Sequence, residues 1–256
     1  MSNTIPLFAS DASFGRSILT SNESESEINE NSPVSIWTIA EVHNIDPVYV
    51  VETSFVNFIS HYKNAQKEKK HLIFGIKFRV VSDAKQKSEE SLLTESKIVV
   101  FMKNSAGYKD LVRLYSEFHG KEENFYYTGR GDWATLQKFW TDNLLLAIDF
   151  YDGFLASNLL QYEHKAIPEF GSIKPYFFVE SHELPFDSLI YDATKQYCDA
   201  TQDKMLNVHS IYYYRDSDII SYCTFRAIAN RSSFEKPNLN GFSSDKFSFE
   251  SYESTK

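Results

Sequence analysis

The sequence predicts a mixed α/β protein in which strands and helices alternate. Seven short apolar runs read as strands, at residues 5–9, 48–52, 71–81, 97–103, 143–150, 174–180 and 207–214. Most are followed by a stretch with helical periodicity, the pattern of parallel βαβ units. Nothing in the 256 residues marks an internal domain boundary, and no fixed-period repeat is present. Seven units of this kind fit either a closed barrel or a doubly wound open sheet, and local pattern does not choose between them.

Each element has a local reason. The run IPLFA (5–9) opens the chain, and the polar stretch 21–32 reads as a solvated loop. Ser32 and Pro33 then read as N-cap and first turn of a helix carrying Ile36, Ile39, Ala40 and His43 on one face. VYVVE (48–52) is a buried strand, ending at Glu52. Residues 54–70 form an amphipathic helix with Phe55, Phe58, Ile59 and Tyr62 on its apolar side and basic residues at its C-terminus. The run 71–81 is a strand, 82–91 a polar loop, and 97–103 a strand leading into a helix over 106–118. A loop rich in Gly and Tyr (120–131) precedes a short helix near 133–140. Further helices are expected over 154–162, 187–203 and 216–230, and the tail 242–250 alternates aromatic and polar residues.

Composition bounds the function. Lys and Arg number 26 against 35 Asp and Glu, a formal charge of −9 that disfavours direct nucleic-acid binding by the chain alone. Two cysteines, Cys198 and Cys223, make no disulfide framework and suit a reducing compartment. No apolar run approaches the length of a membrane span, and no secretory signal is visible, so a cytoplasmic protein is expected. Dinucleotide, P-loop, nucleophile-elbow and zinc-protease motifs are all missing from the sequence.

The candidate chemistry is therefore sparse. The seven histidines (His43, His61, His71, His119, His164, His182, His209) show no chelating spacing and read as surface or partly buried residues. Glu52 ends a strand, where a catalytic carboxylate could sit or where it could bind a neighbouring loop. Asp149 and Asp152 read as an acid–base pair, or as a turn at Asp152-Gly153 that caps the next helix. Lys77 and Lys97 lie on strands and are expected to pair with acids or face solvent. The aromatic tracts 124–133 and 211–215 lack interleaved basic residues, so core packing or a protein contact is favoured over stacking on bases.

Several stretches together carry a resemblance. KIVVFMKNSAGYKDLVRLYSEF (97–118) has Lys103-Asn104, Gly107-Tyr108, Leu111 and Leu114 at the spacing of one strand–turn–helix segment. Residues 35–78, 144–160, 210–218 and 242–251 follow further segments of the same family in order. The sequence resembles the PHP domain at the N-terminus of the bacterial DNA polymerase III alpha subunit, over almost its whole length. The resemblance implies a distorted seven-stranded TIM-like (βα) barrel over 1–241, with 242–256 as a tail leading toward a polymerase palm.

The family's metal-binding positions do not carry over. Its first motif aligns with LFASDASFGR (7–16), where Asp11 and Ser13 match, while Leu7 and Ala9 replace two His and Arg16 replaces an Asp. The Asp-His pair falls on Val51 and Glu52, the metal Glu on Lys77, and a metal His on Lys97. The Cys position is Phe150, and the final Asp and His are Ser210 and Tyr212. The resemblance thus implies a metal-free, cofactor-free and non-catalytic module. Its polar pocket candidates are Asp11, Ser13, Glu52, Asp149 and Asp152, with a lysine paired to a carboxylate such as Glu52. The expected role is in DNA replication through a polymerase core, an exonuclease or another replication protein, in a phage-like setting within the host cytoplasm. Two rivals remain: a phosphoesterase or 3′–5′ exonuclease with a rebuilt site, and a mimic of the host alpha subunit that competes for its partners.

Overall fold

The computed structural model describes residues 4–29, 32–160, 167–231 and 243–255. The strands are β1 (Ile5–Phe8), β2 (Val48–Glu52), β3 (Leu72–Val81), β4 (Ser96–Met102), β5 (Phe125–Tyr126), β6 (Thr128–Gly129), β7 (Gly131–Asp132), β8 (Leu144–Ile148), β9 (Tyr176–Val179) and β10 (Lys204–Ile211). The helices are α1 (Ile36–Val42), α2 (Phe58–Lys67), α3 (Glu89–Leu93), α4 (Ser105–His119), α5 (Trp133–Phe139), α6 (Phe154–Leu160), α7 (Asp187–Thr201), α8 (Ile219–Ala229) and α9 (Phe249–Ser254). The main sheet has the order β2-β1-β10-β9-β8-β4-β3-β7, and a further β2–β3 pairing closes seven strands into a barrel with β7 outside. This is the barrel alternative of the two open at the sequence level.

One expectation is corrected. β4 runs antiparallel to both β3 and β8, so the barrel is not built of parallel strands alone. The cause lies in the β3–β4 connection, whose only helix is the five-residue α3. Neighbouring parallel strands need a crossover element packed on the sheet, whereas a hairpin-like return needs none. Reversal brings the first residues of β4 beside the last of β3, with Lys97 opposite Arg79 and Ser96 opposite Val80.

Contacts divide the chain into two compact units: residues 1–74, 180–187 and 207–256, and residues 75–179 and 188–206. In the first, β1 lies between β10 and β2, with Leu7 opposite Ser210 and Tyr49, and Phe8 opposite Ile211 and Val50. Phe8, Ile36, Trp37, Val50, Tyr213 and Phe249 are fully buried there. The segment after residue 242 continues this packing. Its aromatic–polar alternation forms a short 3-10 turn (Asp245–Phe247) and then α9, with Phe249 stacked near Phe8.

Helix starts and faces also shift. The first helix begins at Ile36, capped by Ser35, whose hydroxyl accepts from Trp37 N–H. Ser32 and Pro33 stay outside because Val34 and Ile36 exchange backbone hydrogen bonds with Thr20, holding the approach extended. α2 covers only Phe58–Lys67, and its buried face is Phe58, His61, Asn64 and Ala65, while Ile59 and Tyr62 are exposed. Asn64 turns inward because its Nδ2 donates to the carbonyls of Ser21 and Asn22.

In the second unit, β3, β4, β8 and β9 form one run of sheet. α4 packs through Leu111, Leu114 and Phe118, with Phe118 edge-on to Phe78 at 5.1 Å. The approach of β7 to this helix is very close: a Cβ at Gly131 would lie 2.4 Å from the Phe118 ring. Among the described residues no helix is long and apolar enough to cross a membrane.

Candidate functional site

Glu52 ends β2 and is fully buried. Such a charge persists only if its oxygens find donors. Ser10 N–H donates to Oε1 at 3.1 Å, Ser13 Oγ to Oε2 at 2.7 Å, and His61 Nε2 stands 3.2 Å from Oε1. Trp37 Nε1–H donates to His61 Nδ1 at 3.2 Å. An indole nitrogen only donates, so Nδ1 is the accepting nitrogen and Nε2–H points at Glu52. Ser13 Oγ also accepts from Thr53 N–H at 2.9 Å, tying the loops after β1 and β2 together. Asp11, exposed in that loop, has its carboxyl raised above the usual range, first by partial burial and then by the charge of Glu52.

A second buried carboxylate, Glu180, follows β9 within the same unit. Its Oε2 lies 2.8 Å from His182 Nε2 and accepts from Ser210 N–H at 3.0 Å, while Ser210 Oγ donates to Oε1 at 3.1 Å. Burial alone would raise this carboxyl. His182 and the two Ser210 donors outweigh it and hold the group below the ordinary range. His182 Nδ1 faces the Lys246 carbonyl at 3.0 Å, so both ring nitrogens stand beside oxygen acceptors. His209 meets the His182 ring edge-on at 4.5 Å. Burial, and next the His182 charge, push His209 down to about 4.

In the other unit, Lys77 on β3 is 2.5 Å from Asp149 Oδ2 and 3.4 Å from Asp152 Oδ2. Lys97, at the start of the reversed β4, is 3.0 Å from the same Asp152 oxygen. Lys77 and Asp149 are each less than a tenth exposed, whereas Asp152 is 42% exposed. The turn after β8 is built by Asp149, whose Oδ1 accepts Asp152 N–H at 2.9 Å. The aspartate pair is thus both a turn and a double ion pair.

The positions singled out from sequence have definite places. Leu7, Ala9, Val51 and Phe150 are buried apolar side chains. Arg16 Nη2 donates to the Tyr212 hydroxyl at 3.3 Å, with the guanidinium 5.4 Å from the ring centre. Asp11, Ser13 and Glu52 come together, as do Asp149 and Asp152 with Lys77 and Lys97. Glu52 is held by Ser10, Ser13 and His61, and the carboxylates on Lys77 are those of Asp149 and Asp152, which corrects the expected lysine–Glu52 pairing. His61, His182 and His209 are interior, correcting their reading as surface or partly buried residues; His164 lies outside the described residues. Glu180 carried one legible signal, an acid at a strand end with a histidine two residues on.

The mixed α/β barrel thus carries polar clusters at the ends of its strands. A model of the PHP domain family matches residues 34–203, and the chain belongs to that family. No curated protein matches the chain.

The metal chemistry implied by the resemblance can be tested on the donor set. Of the ten substituted metal positions only Glu52 carries a carboxylate, and its oxygens are taken by protein donors. Among the described residues no group of three or more His, Cys, Asp or Glu side chains is placed to hold a metal ion. The residues do not fit such a centre.

Proposed function

We propose that this chain is a non-catalytic PHP module that acts in DNA replication by binding a protein partner. The partner would be a C-family polymerase core or the proofreading exonuclease that works with it, in a phage-like replication system. The observation that carries the reading is the state of Glu52. Both of its oxygens are committed to Ser10, Ser13 and His61, leaving this carboxylate as an internal strut rather than a base or ligand. A phosphoesterase of this class needs several oxygen and nitrogen donors converging on a cation that activates water. The aligned positions instead hold Leu7, Ala9, Val51, Phe150 and two lysines. The net charge of −9 further favours protein over nucleic acid as the partner.

The test mixes the purified chain with a C-family polymerase core lacking its PHP domain, and separately with the proofreading exonuclease. Co-elution with either at micromolar concentration, together with no hydrolysis of bis-p-nitrophenyl phosphate in Mn²⁺, supports the proposal. Metal-dependent hydrolysis that disappears in Glu52→Gln overturns its non-catalytic part, and failure to bind either protein overturns the partner.

A further inference from the structure

α8 turns an uncharged row to solvent. Ile220, Thr224 and Ile228 follow one another at four-residue spacing along one side of the helix, with the two isoleucines 74% and 65% exposed. Thr224 Oγ1 donates to the Ile220 carbonyl at 2.8 Å, which uses its polar atom within the helix. Phe14, 66% exposed, stands against the same helix, its ring edge-on to Phe225 at 5.1 Å. Gly15 lets that loop come in: its φ is +77°, and a Cβ there would fall 2.3 Å from the Ala229 Cβ. On α7, by contrast, Asp192, Lys195 and Asp199 face solvent. Single exposed apolar side chains are ordinary, whereas a contiguous set along one helix marks a contact surface.

We propose that the outer face of α8, with Phe14 and the cavity beside it, docks an acidic amphipathic helix of a partner protein. The proposal rests on the protein-binding reading above and adds the surface and the partner's chemistry. The cavity, of about 230 Å³, opens at the N-terminal end of α8 and is lined by Ile18, Pro33, Val34, Tyr214 and Arg215, with Asp218 and Ser221 on the helix side. It has room for one large side chain of the partner, while apolar residues at helical spacing cover Ile220, Thr224 and Ile228.

Charge selects the kind of helix. Over residues 219–231 the charged residues are Arg226 and Arg231, and no acid occurs. Arg231 is exposed. Burial raises the Tyr222 hydroxyl, and Arg226 and Arg16 in turn lower it, so both guanidinium charges bear on the middle of α8. This cationic edge sits on a chain of net charge −9. An acidic partner is repelled by the chain as a whole and attracted to this one patch, which fixes where it docks. A second copy would set arginine against arginine and bring two acidic chains together. A nucleic acid needs cations interleaved along its track, and it would meet Ile220, Thr224 and Ile228 instead.

The experiment selects displayed random peptides of about 12 residues on the immobilised full chain, then measures the synthetic peptides by fluorescence anisotropy. Selected peptides should carry net negative charge with apolar residues at helical spacing. Ile220→Glu/Ile228→Glu and Arg226→Glu/Arg231→Glu should each weaken them by about tenfold or more, as should about 0.5 M NaCl for the charged part. No selected peptide, peptides that are basic or lack apolar residues, or affinities unchanged in the variants overturn the proposal. The variants should melt within about 2 °C of the wild type, and a loss of about 5 °C or more would show that the chain itself covers the row, which also overturns it. A wild-type dimer broken by Ile220→Glu would assign the face to a second copy. Binding to phosphatidylglycerol vesicles that Ile220→Glu abolishes would assign it to a lipid surface. Either result overturns the proposal. If the polymerase core or the exonuclease binds the wild type and Ile220→Glu/Ile228→Glu alike, the surface is wrong and the partner reading stands. If acidic peptides bind as expected and neither protein does, the surface stands and the partner reading falls.

Discussion

Trp37 Nε1–H donates to His61 Nδ1 at 3.2 Å, and through that bond the indole sets which imidazole nitrogen faces Glu52. Both rings are fully buried, so neither nitrogen can turn to water instead. Trp37→Phe should leave His61 Nδ1 without its donor at a cost of about 1–3 kcal/mol, in addition to the packing lost with the larger ring. Urea unfolding at pH 7 measures it. His61→Gln in the Trp37→Phe background should then cost less than in the wild type, because the relay is already broken.

Glu180 has a carboxyl held below its ordinary value, so its contribution to stability is present at neutral pH. It is lost as pH falls from the unfolded carboxyl's range through the lower folded value. Glu180→Gln removes one half of a buried pair and should destabilise by about 3–5 kcal/mol at pH 7. The variant should also lose less of its remaining stability than the wild type between pH 5 and 3. Denaturant midpoints at half-unit pH steps would show both effects, and parallel profiles would contradict the assignment.

His209 works in the next window up. Its folded value of about 4 lies below the ordinary 6.5, so between these limits the unfolded chain binds a proton that the native chain refuses. Stability therefore falls as pH drops from 6.5 toward 4, by about 1.4 kcal/mol per pH unit once below the unfolded value. His209→Phe should flatten this part of the profile. A variant with the wild-type slope between pH 6 and 4.5 would place that slope on another group.

Gly131 lets β7 lie against Phe118, and an added Cβ would fall 2.4 Å from that ring. Gly131→Ala should cost about 1–3 kcal/mol through overpacking. Phe118→Leu in the Gly131→Ala background should recover part of the loss by making room. Thermal melts of the two variants provide the check, and a Gly131→Ala protein as stable as the wild type would refute it.

The strands were legible because apolar runs bounded by turn residues admit few alternatives; VYVVE maps onto β2 without a shift. The direction of β4 was not, since a strand reads alike in either sense and its orientation depends on the short connection before it. The buried face of α2 was misplaced for a different reason. Hydropathy ranks Ile59 and Tyr62 above His61 and Asn64, yet the polar pair goes inside because Glu52 and the 21–22 carbonyls satisfy it. Buried polar residues are placed by partners distant in sequence, and Glu52 and His61 share no local pattern. The same holds for Lys77, whose partners Asp149 and Asp152 lie more than seventy residues away.

The reversed β4 has a practical consequence for anyone altering this protein. Because Lys97 is the second residue of that strand, the segment that adjoins the lysine–aspartate cluster is the one before it, residues 82–95, which contains α3. The turn after the strand, at Lys103 and Asn104, instead lies against Asn143 before β8, at the other end of the same strands. A spectroscopic label or affinity tag inserted at 103–104 would thus leave the cluster alone. Sequence diversification at 82–95 would reshape its surroundings directly.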